Sequence, residues 1–311
     1  MDNTLIVILG PTGVGKSAIS IQLAKYYSTD ILSADSRQLF RELSIGTAIP
    51  PEEDLQSVTH HFIQTRSIHD YYNVSEYEIE AIHLINQLFL SKNPLILTGG
   101  SMLYIDTICK GIDDIPTVTA EIRAEVIRWY NENGLEALQK RLLTLDPEYY
   151  AIADLNNAKR LLHAVEVCQM SGKTFTSFRK NTIRHRPFNI LKIGINQQRE
   201  VLYERINQRV DQMMEAGLLE EARSVYPYKD LNSLNTVGYK ELFTYFDGQC
   251  TLEEAVDLIK RSTRKYARKQ LTWFRKDLDI HWFEPDQVQE IIAFTDSQLK
   301  KANLNEPYHP S

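Results

Sequence analysis

Short, mostly apolar runs alternate with amphipathic stretches over much of the chain. Leu5–Leu9 is apolar throughout, which is typical of a strand buried on both faces of a parallel sheet, and further short strands are predicted at Ile31–Ala34, Leu95–Leu97 and Ile190–Ile195. A helix is predicted after the first of them, from Lys16 to about Tyr27. Strands that alternate with helices predict an α/β fold with a mostly parallel sheet flanked by helices.

The pattern changes between Pro116 and Arg186, where no strand-like run occurs. Helical periodicity is found there instead, in the stretches Ala120–Glu132, Leu135–Leu143 and Asn157–Met170. A basic exit follows, with Arg179, Lys180, Arg184, His185 and Arg186. We therefore predict a helical insertion domain at 116–188, placed within an α/β core that 1–115 and 189–311 form together.

The bulk composition is that of an ordinary globular protein, with 43% hydrophobic and 24% charged residues among 311. A net charge of −6 disfavours nucleic acid only mildly, because a total hides local basic patches. The three cysteines have neither zinc-ligand spacing nor the even number of a disulfide framework. Without an export signal or a membrane-spanning segment, we expect a cytoplasmic protein. We also expect a monomer.

The turn after the first strand carries a complete P-loop motif, G-x-x-x-x-G-K-[ST], in the residues Gly10-Pro11-Thr12-Gly13-Val14-Gly15-Lys16-Ser17. Its glycines let backbone N–H groups turn onto phosphate oxygens, and the helix N-terminus adds partial positive charge. We expect Lys16 to reach the phosphates and the Ser17 hydroxyl to ligate Mg²⁺. The motif predicts a bound di- or triphosphate without specifying which.

Asp35 follows the second strand, and Gly99-Gly100 follows the third. Because the carboxyl ends of parallel strands lie at one edge of a sheet, these residues should meet the P-loop in a single crevice. A carboxylate at position 35 can hold Mg²⁺ through water, accept a proton from a nucleophile, or cap a helix. The neighbouring Ser36, Arg37 and Gln38 offer polar groups suited to a base edge.

Several blocks, in order and spread over nearly the whole chain, resemble the bacterial tRNA dimethylallyltransferases. Beside the P-loop, the resemblance lies in Asp35-Ser36-Arg37-Gln38, Ile45–Ala48, Gly99–Tyr104, Asn156–Glu166, Leu202–Ile206, Met213–Glu221, Val237–Leu242 and Tyr266–Arg275. The resemblance implies a P-loop NTPase-like core. It also implies transfer of a dimethylallyl group from dimethylallyl diphosphate, with Mg²⁺, to N6 of adenine 37 in tRNAs that read codons beginning with U.

The resemblance also implies roles for particular residues. Asp35 is similar to the family's catalytic base, Ser101 stands where a threonine near the donor phosphate is usual, and Arg223 resembles the arginine that neutralises the leaving diphosphate. The flipped-out base and the anticodon stem-loop would contact Asp35, Ser36, Arg37, Gln38, Ser101, Arg123, Lys159, Arg160, Leu161, Leu162 and His163. His163 replaces the usual arginine, and Met102 a glycine.

A helix near the C-terminus carries a stripe of arginines. At about 100° per residue, Arg261, Arg264, Arg268 and Arg275 fall within a sector of roughly 60°, which suits either an RNA backbone or plain solvent. Gln270 lies on the opposite, apolar side, so its amide must face the crevice or bond a neighbouring backbone group. The pairs Trp273-Phe274 and Trp282-Phe283 are interpreted as core.

Three rival functions share part of this pattern. A P-loop kinase of a small metabolite would bind ATP but leaves the blocks at 238–241 and 270–275 without a purpose. A nucleotide-switched RNA-binding protein would bind tRNA without making a product. An adenylate isopentenyltransferase would prenylate free AMP or ATP, whereas the helical insert and its basic exit favour tRNA.

Overall fold

The computed structural model describes residues 3–180 and 183–304, with the backbone alone for 302–304. The chain forms two compact units: one combines the segments before residue 110 and after residue 185, and the other is Lys110–His185. The insertion predicted at 116–188 begins and ends a few residues later than this second unit. No described helix is long and apolar enough to cross a bilayer.

The first unit is built on a sheet of six strands, all paired in parallel, in the spatial order β3-β2-β4-β1-β5-β6. The strands are β1 (Thr4–Leu9), β2 (Ile31–Ser33), β3 (His60–His61), β4 (Leu95–Gly99), β5 (Asn189–Ile195) and β6 (His281–Phe283). The α/β prediction is confirmed. The sequence missed β3 and β6 because they are short edge strands without an apolar run.

Helices connect and cover the strands, and four of them, α5 to α8, lie in the second unit. They are α1 (Lys16–Tyr27), α2 (Glu52–Ser57), α3 (Val74–Leu88), α4 (Met102–Lys110), α5 (Ala120–Leu145), α6 (Pro147–Ile152), α7 (Ala158–Ser171), α8 (Phe175–Phe178), α9 (Arg199–Glu215), α10 (Leu218–Val225), α11 (Tyr239–Phe246), α12 (Leu252–Phe274) and α13 (Val288–Leu304). The predicted extent of α1 agrees with the structure.

Strand β1 separates two apolar layers, because alternate side chains point to opposite faces of a sheet. Leu5, Val7 and Leu9 pack into a cluster that includes residues of α3 and α4. Ile6 and Ile8 belong to a second cluster, which α1, α9 and α12 complete. Each of the five side chains is almost fully buried, worth about 1.5–3 kcal/mol per residue. This double burial explains the uninterrupted apolar run and fixes the turn after β1.

The second unit is a helical cluster around its own apolar core. Helices α5 and α7 pack together through Val126, Leu138 and Leu161, which are fully buried. Gly134 interrupts α5 with φ 78° and ψ −176°, at the break predicted between Glu132 and Leu135. A positive φ costs little at glycine, so the chain turns there without a longer loop.

A buried carboxylate fixes the end of this helical cluster. Asp146 is fully buried and caps α6 by accepting a hydrogen bond from Tyr149 N at 2.9 Å. It also accepts from Thr176 N at 2.7 Å and from Thr176 Oγ1 at 2.9 Å, which connects α6 to α8. A buried charge requires this many partners, so the side chain acts as a staple between two short helices.

We expect Asp146→Ala to lower the free energy of unfolding by about 3 kcal/mol, because it leaves buried N–H groups of Tyr149 and Thr176 without an acceptor. Urea unfolding followed by circular dichroism measures the change. Glu148→Ala removes the same charge from an exposed neighbouring position and should change stability by less than about 0.5 kcal/mol. Equal losses in the two variants would contradict the staple.

Candidate active site

The P-loop leaves β1 at Gly10 and enters α1 at Lys16. Gly13 and Gly15 have φ of 81° and 107°, a conformation that favours glycine. A Cβ on Gly10 would lie 2.3 Å from the carbonyl oxygen of Ile195 on the adjacent strand, so only glycine fits there. The result is a cavity of about 400 Å³, the phosphate cavity, lined by Gly13, Gly15, Lys16, Ser17, Arg205, Gln208, Arg209 and Gln212.

Lys16 is held in place for an anion. Its Nζ donates a hydrogen bond to the carbonyl oxygen of Pro11 at 2.8 Å, which curls the side chain back over the loop. Burial, followed by the positive charge of Arg209, lowers its pKa to about 7, while the Asp35 carboxylate opposes the shift. The cavity therefore carries an excess of positive charge that an anionic ligand would relieve.

Helix α9 supplies two arginines to this cavity that the sequence interpretation did not assign. Arg205 NH1 lies 3.5 Å from the carbonyl oxygen of Val14, and Arg209 follows one helical turn later on the same face. Burial lowers the pKa of Arg209, and Asp35 raises it. The i,i+4 spacing of two arginines was the available sequence signal, but α12 carries such a pair too, at Arg264 and Arg268.

Arg223 does not occupy the position predicted for it. It is exposed on α10, and its guanidinium carbon lies 4.5 Å from the centre of the Phe246 ring. It lines neither the phosphate cavity nor the larger cavity beside it. Arg209, by contrast, lines both. The position predicted for Arg223 is wrong, because α10 places its side chain against Phe246.

Asp35 lies close enough to Lys16, Arg209 and Arg37 to influence the pKa of each. Its Oδ1 accepts hydrogen bonds from Arg37 N at 2.9 Å and, more weakly, from Gln38 N at 3.4 Å. The carboxylate thus caps its own turn with one oxygen, so Oδ2 remains available to a ligand. Capping and catalysis, which the sequence left as alternatives, are compatible.

Ser101 braces the Asp35 turn. Its Oγ is nearly buried, accepts a hydrogen bond from Ser36 N at 2.9 Å and donates to Ser36 Oγ at 3.2 Å. Tyr266 of α12 donates its hydroxyl to the carbonyl oxygen of the preceding Gly100 at 3.4 Å, and burial raises the pKa of Tyr266 to about 12. Ser101 therefore joins the loop after β4 to the loop after β2.

Gln270 ties the P-loop to the loop after β4. Its Oε1 accepts a hydrogen bond from Thr12 N at 2.8 Å, and its Nε2 donates to the carbonyl oxygen of Gly100 at 2.7 Å. The side chain is almost fully buried. A Cβ on Gly100 would lie 2.4 Å from Nε2, so a larger residue there would push the amide out of its two hydrogen bonds. The apparently misplaced amide of the sequence analysis thus bonds two neighbouring backbones.

A larger cavity of about 440 Å³, the acceptor cavity, adjoins the phosphate cavity, and Gly13 and Arg209 line both. Its polar wall includes Asp35, Arg37, Ser101 and Tyr266. Residues that the sequence interpretation did not assign to a site also line it, among them Thr47, Asn235, Thr236, Val237, Gly238, Lys240 and Lys269. Val237, Gly238 and Lys240 belong to the block Val237–Leu242, for which the resemblance implied no role.

The remaining wall of the acceptor cavity is held by a carboxylate. Glu221 of α10 accepts hydrogen bonds from the backbone N of Ser44, Ile45 and Gly46, at 2.8–2.9 Å. Tyr239 donates its hydroxyl to the same carboxylate at 2.5 Å. These bonds fix the segment before Thr47, so α10 serves the site through Glu221 rather than through Arg223.

Both ends of the Gln38 amide make hydrogen bonds within the chain. Its Oε1 accepts a hydrogen bond from Ser33 Oγ at 3.0 Å, and its Nε2 donates to the carbonyl oxygens of Thr47 and Ala48 at 3.3 and 3.1 Å. The amide therefore holds the cavity wall in this structure, and the base contact of Gln38 stays a prediction. Arg37 likewise donates to the carbonyl oxygens of Asn232 and Ser233.

The predicted tRNA contacts of the second unit lie on α5 and α7. Lys159 and Arg160 are exposed, and the side chain of His163 is 44% exposed. Leu161 is fully buried in the helical core, and Leu162 is half-buried against it. The side chain of Leu161 therefore packs the helix rather than contacting RNA. Arg123 and His163 both approach the buried Glu166 carboxylate, at 3.6 and 3.7 Å.

The four arginines that share one sector of α12 do not share one environment. Arg264 donates to Asn207 Oδ1, which ties it to α9, whereas Arg261, Arg268 and Arg275 are exposed. The interpretation of Trp273 and Trp282 as core is wrong, because they are 39% and 37% exposed. Phe274, the neighbour of Trp273, is buried as predicted, since a helix places adjacent residues on different faces.

A divalent cation would have few protein ligands here. Among the described residues, no three His, Cys, Asp or Glu side chains are grouped to hold a metal. Ser17 is exposed at the first turn of α1 and lines the phosphate cavity, so its hydroxyl is placed beside a bound phosphate. This donor set fits Mg²⁺, which prefers phosphate oxygens and water to a complete protein cage.

Comparison with known proteins was consistent across sequence and structure. A model of the IPP transferase family matches residues 38–277. The tRNA dimethylallyltransferase 1 proteins of Bacteroides fragilis and Phocaeicola vulgatus are 54% and 55% identical, each over 96% of this chain and 99% of the relative.

Solved structures agree. A tRNA isopentenylpyrophosphate transferase from Bacillus halodurans matches with a TM-score of 0.71 and 35% identity, over 96% of this chain and 97% of the other. A eukaryotic dimethylallyltransferase acting on tRNA matches with a TM-score of 0.79 at 23% identity, over 96% of this chain and 80% of the other, a likeness of fold alone.

The lowered pKa of Lys16 predicts proton uptake when an anion binds. With a pKa of about 7, Lys16 is mostly neutral at pH 8, and a bound diphosphate restores its charge. Pyrophosphate binding should therefore take up roughly 0.9 proton more in the parent than in Lys16→Met at pH 8, and roughly 0.1 more at pH 6. Calorimetry in buffers of different ionisation enthalpy measures the difference, and equal uptake at pH 8 would contradict the assignment.

Proposed function

The chain belongs to the IPP transferase family, and on that premise we propose that it transfers a dimethylallyl group from dimethylallyl diphosphate to N6 of adenine 37 in tRNAs that read codons beginning with U. It is a prenyltransferase of tRNA modification. The observation that carries the finer proposal is the shared wall of the two cavities, because Arg209 and Gly13 face both and Asp35 faces the acceptor side.

The diphosphate of the donor belongs in the phosphate cavity. Backbone N–H groups of the P-loop and the N-terminus of α1 point their positive ends there, and Lys16 and Arg209 add charge. Breaking the bond between the allylic carbon and oxygen develops negative charge on the departing diphosphate, which this fixed set of dipoles and cations stabilises. Mg²⁺, next to Ser17, would supply further charge neutralisation when bound.

The prenyl tail and the adenine share the acceptor cavity. Its apolar side, formed by Ile206, Val210, Met213, Leu218 and Ile259, suits the five-carbon chain. On its polar side, Asp35 accepts a proton from the N6 amino group as the new nitrogen–carbon bond forms. An adenine amino group is a weak nucleophile, so placing it against the allylic carbon matters more than its basicity.

The acceptor we propose is tRNA rather than a free nucleotide. A base in a folded anticodon loop reaches an enclosed cavity only when it is flipped out of its stack. Exposed cations on α7, Lys159 and Arg160, offer contacts for a phosphate backbone. The relatives named above are tRNA dimethylallyltransferases over almost their full length, and neither a kinase nor an adenylate isopentenyltransferase is favoured.

Incubation with labelled dimethylallyl diphosphate and Mg²⁺, and with either unmodified tRNA or AMP, tests the function. We expect label in tRNA alone, and digestion should place it in N6-dimethylallyladenosine next to the anticodon. A tRNA in which adenine 37 is replaced by guanine is the matched control. Label in AMP would support the adenylate enzyme, and label in neither acceptor would remove prenyl transfer altogether.

Asp35→Asn tests the proposed base. The amide retains an oxygen for the bond from Arg37 N, so the turn should persist, but it cannot take the N6 proton. We expect the rate of a single turnover to fall by about 10²-fold or more, with the affinities for donor and tRNA within a few-fold of the parent. A single-turnover rate close to that of the parent would refute the role.

A pair of arginine variants separates the two candidates for the diphosphate. Arg209→Ala should lower kcat/KM for dimethylallyl diphosphate by about 10²-fold or more, because it removes a partly buried cation from the developing charge. Arg223→Ala, at an exposed position stacked on Phe246, should remain within about three-fold. Steady-state assays at fixed tRNA measure both, and the reverse order would restore the original assignment of Arg223.

A further inference from the structure

An open crevice, which we call the second crevice, is separate from the phosphate cavity and the acceptor cavity and lies beyond the carboxyl ends of β5 and β6. Its volume is about 690 Å³, and no residue that lines it lines either of the others. In an open parallel sheet, ligands bind in crevices at this edge. The proposed prenyl transfer uses none of this crevice.

Three arginines line the crevice, from two different helices. Arg199 is the first residue of α9, Arg268 lies in the last two turns of α12, and Arg275 is the residue that caps the C-terminus of α12. All three are exposed, and the guanidinium of Arg199 stacks on Tyr203 at 5.1 Å. The N-terminus of α9 adds to this field, because Gln198 makes no side-chain cap and leaves N–H groups of the first turn open.

The crevice also contains buried polar atoms that lack partners. Asn196 Oδ1, Gln197 Nε2 and Tyr203 OH are hidden from solvent and make no hydrogen bond with any described residue. These are half of the six such side-chain atoms in the described chain, and all three residues line this crevice. Each unmade bond costs about 1–3 kcal/mol, so a ligand that drew these side chains toward the crevice and paired them would recover that cost.

One wall of the crevice is aromatic. Trp282 of β6 is 37% exposed, although the adjacent Phe283 packs into the apolar layer of α1 and α9. The Trp282 ring lies against Gly194, where a Cβ would approach it to 2.6 Å, so its position is fixed by the strand beneath it. Glu284, the next acceptor along the wall, is a group that a ribose hydroxyl or an exocyclic amine can donate to.

We propose that this crevice is a second nucleotide site, in which the phosphate of a nucleoside phosphate binds Arg199, Arg268 and Arg275 and the base lies against Trp282. Arginine is suited to phosphate because its donors form a planar fork, and an indole face stacks on any base. The nucleotide is either free or one unit of the bound tRNA. The chemistry of recognition is the same in both cases.

Equilibrium dialysis with labelled AMP tests the site in a Lys16→Met background, which removes the main charge of the P-loop. We expect this variant to bind one AMP per chain, and the further changes Arg268→Ala and Arg275→Ala to weaken that binding at least about ten-fold. The matched control adds Arg261→Ala and Lys265→Ala, two exposed cations of α12 outside the crevice, and should stay within about two-fold. Thermal melting checks that all variants fold.

Unmodified tRNA distinguishes the two sources of the nucleotide. If tRNA displaces AMP from the Lys16→Met protein, the natural occupant is a unit of the tRNA; if both bind together, it is a free nucleotide. The proposal is overturned if the Lys16→Met protein binds no AMP. It is also overturned if the crevice variant binds AMP as tightly as its α12 control.

Discussion

The amide of Gln270 connects the two loops on which the site depends. One end accepts from the P-loop at Thr12, and the other donates to the loop after β4 at Gly100. Both bonds are buried, so neither loop can move away without leaving a polar group unpaired. Because Ser101 follows Gly100 and braces Ser36, the same constraint extends to the turn that presents Asp35. The P-loop and the Asp35 carboxylate are thereby held in a fixed relative position.

Positive and negative side chains lie on different sides of the site. Lys16 and Arg209 are crowded and buried on one side, and each loses basicity for that reason. Asp35 is the carboxylate that partly offsets them, yet its Oδ1 is already bonded to its own turn. The site therefore favours an anion beside the P-loop and a hydrogen-bond donor beside Asp35. A diphosphate leaving group and an amino nucleophile satisfy these two preferences together.

Helix α12 serves more than one region of the first unit. Its buried side holds Gln270 and Phe274, while Tyr266 and Lys269 face the acceptor cavity. Its exposed end turns Arg268 and Arg275 toward the second crevice, and Arg264 is tied to α9. The arginines that share a sector on a helical wheel are thus divided in space, because α9 packs along only part of the helix. Arginines that share a sector on the helical wheel therefore need not contact the same ligand.

The amino-acid sequence alone determined the parallel sheet, the P-loop, the position of Asp35 at a strand end and the helical insertion. These are local matters: uninterrupted apolar runs, a glycine pattern and a change of period are readable within a few turns of chain. The family blocks then indicated the chemistry, and the relatives agree with it.

Tertiary structure decided which side chains meet. It placed Arg209 rather than Arg223 at the phosphate cavity, committed Gln38 to the cavity wall and buried Leu161 in the helical core. It also exposed Trp282 beside a crevice that no motif marks. The physical reason is that periodicity gives the face of a helix but not its neighbour. That choice depends on contacts between residues distant in sequence, such as the bond from Thr12 to Gln270.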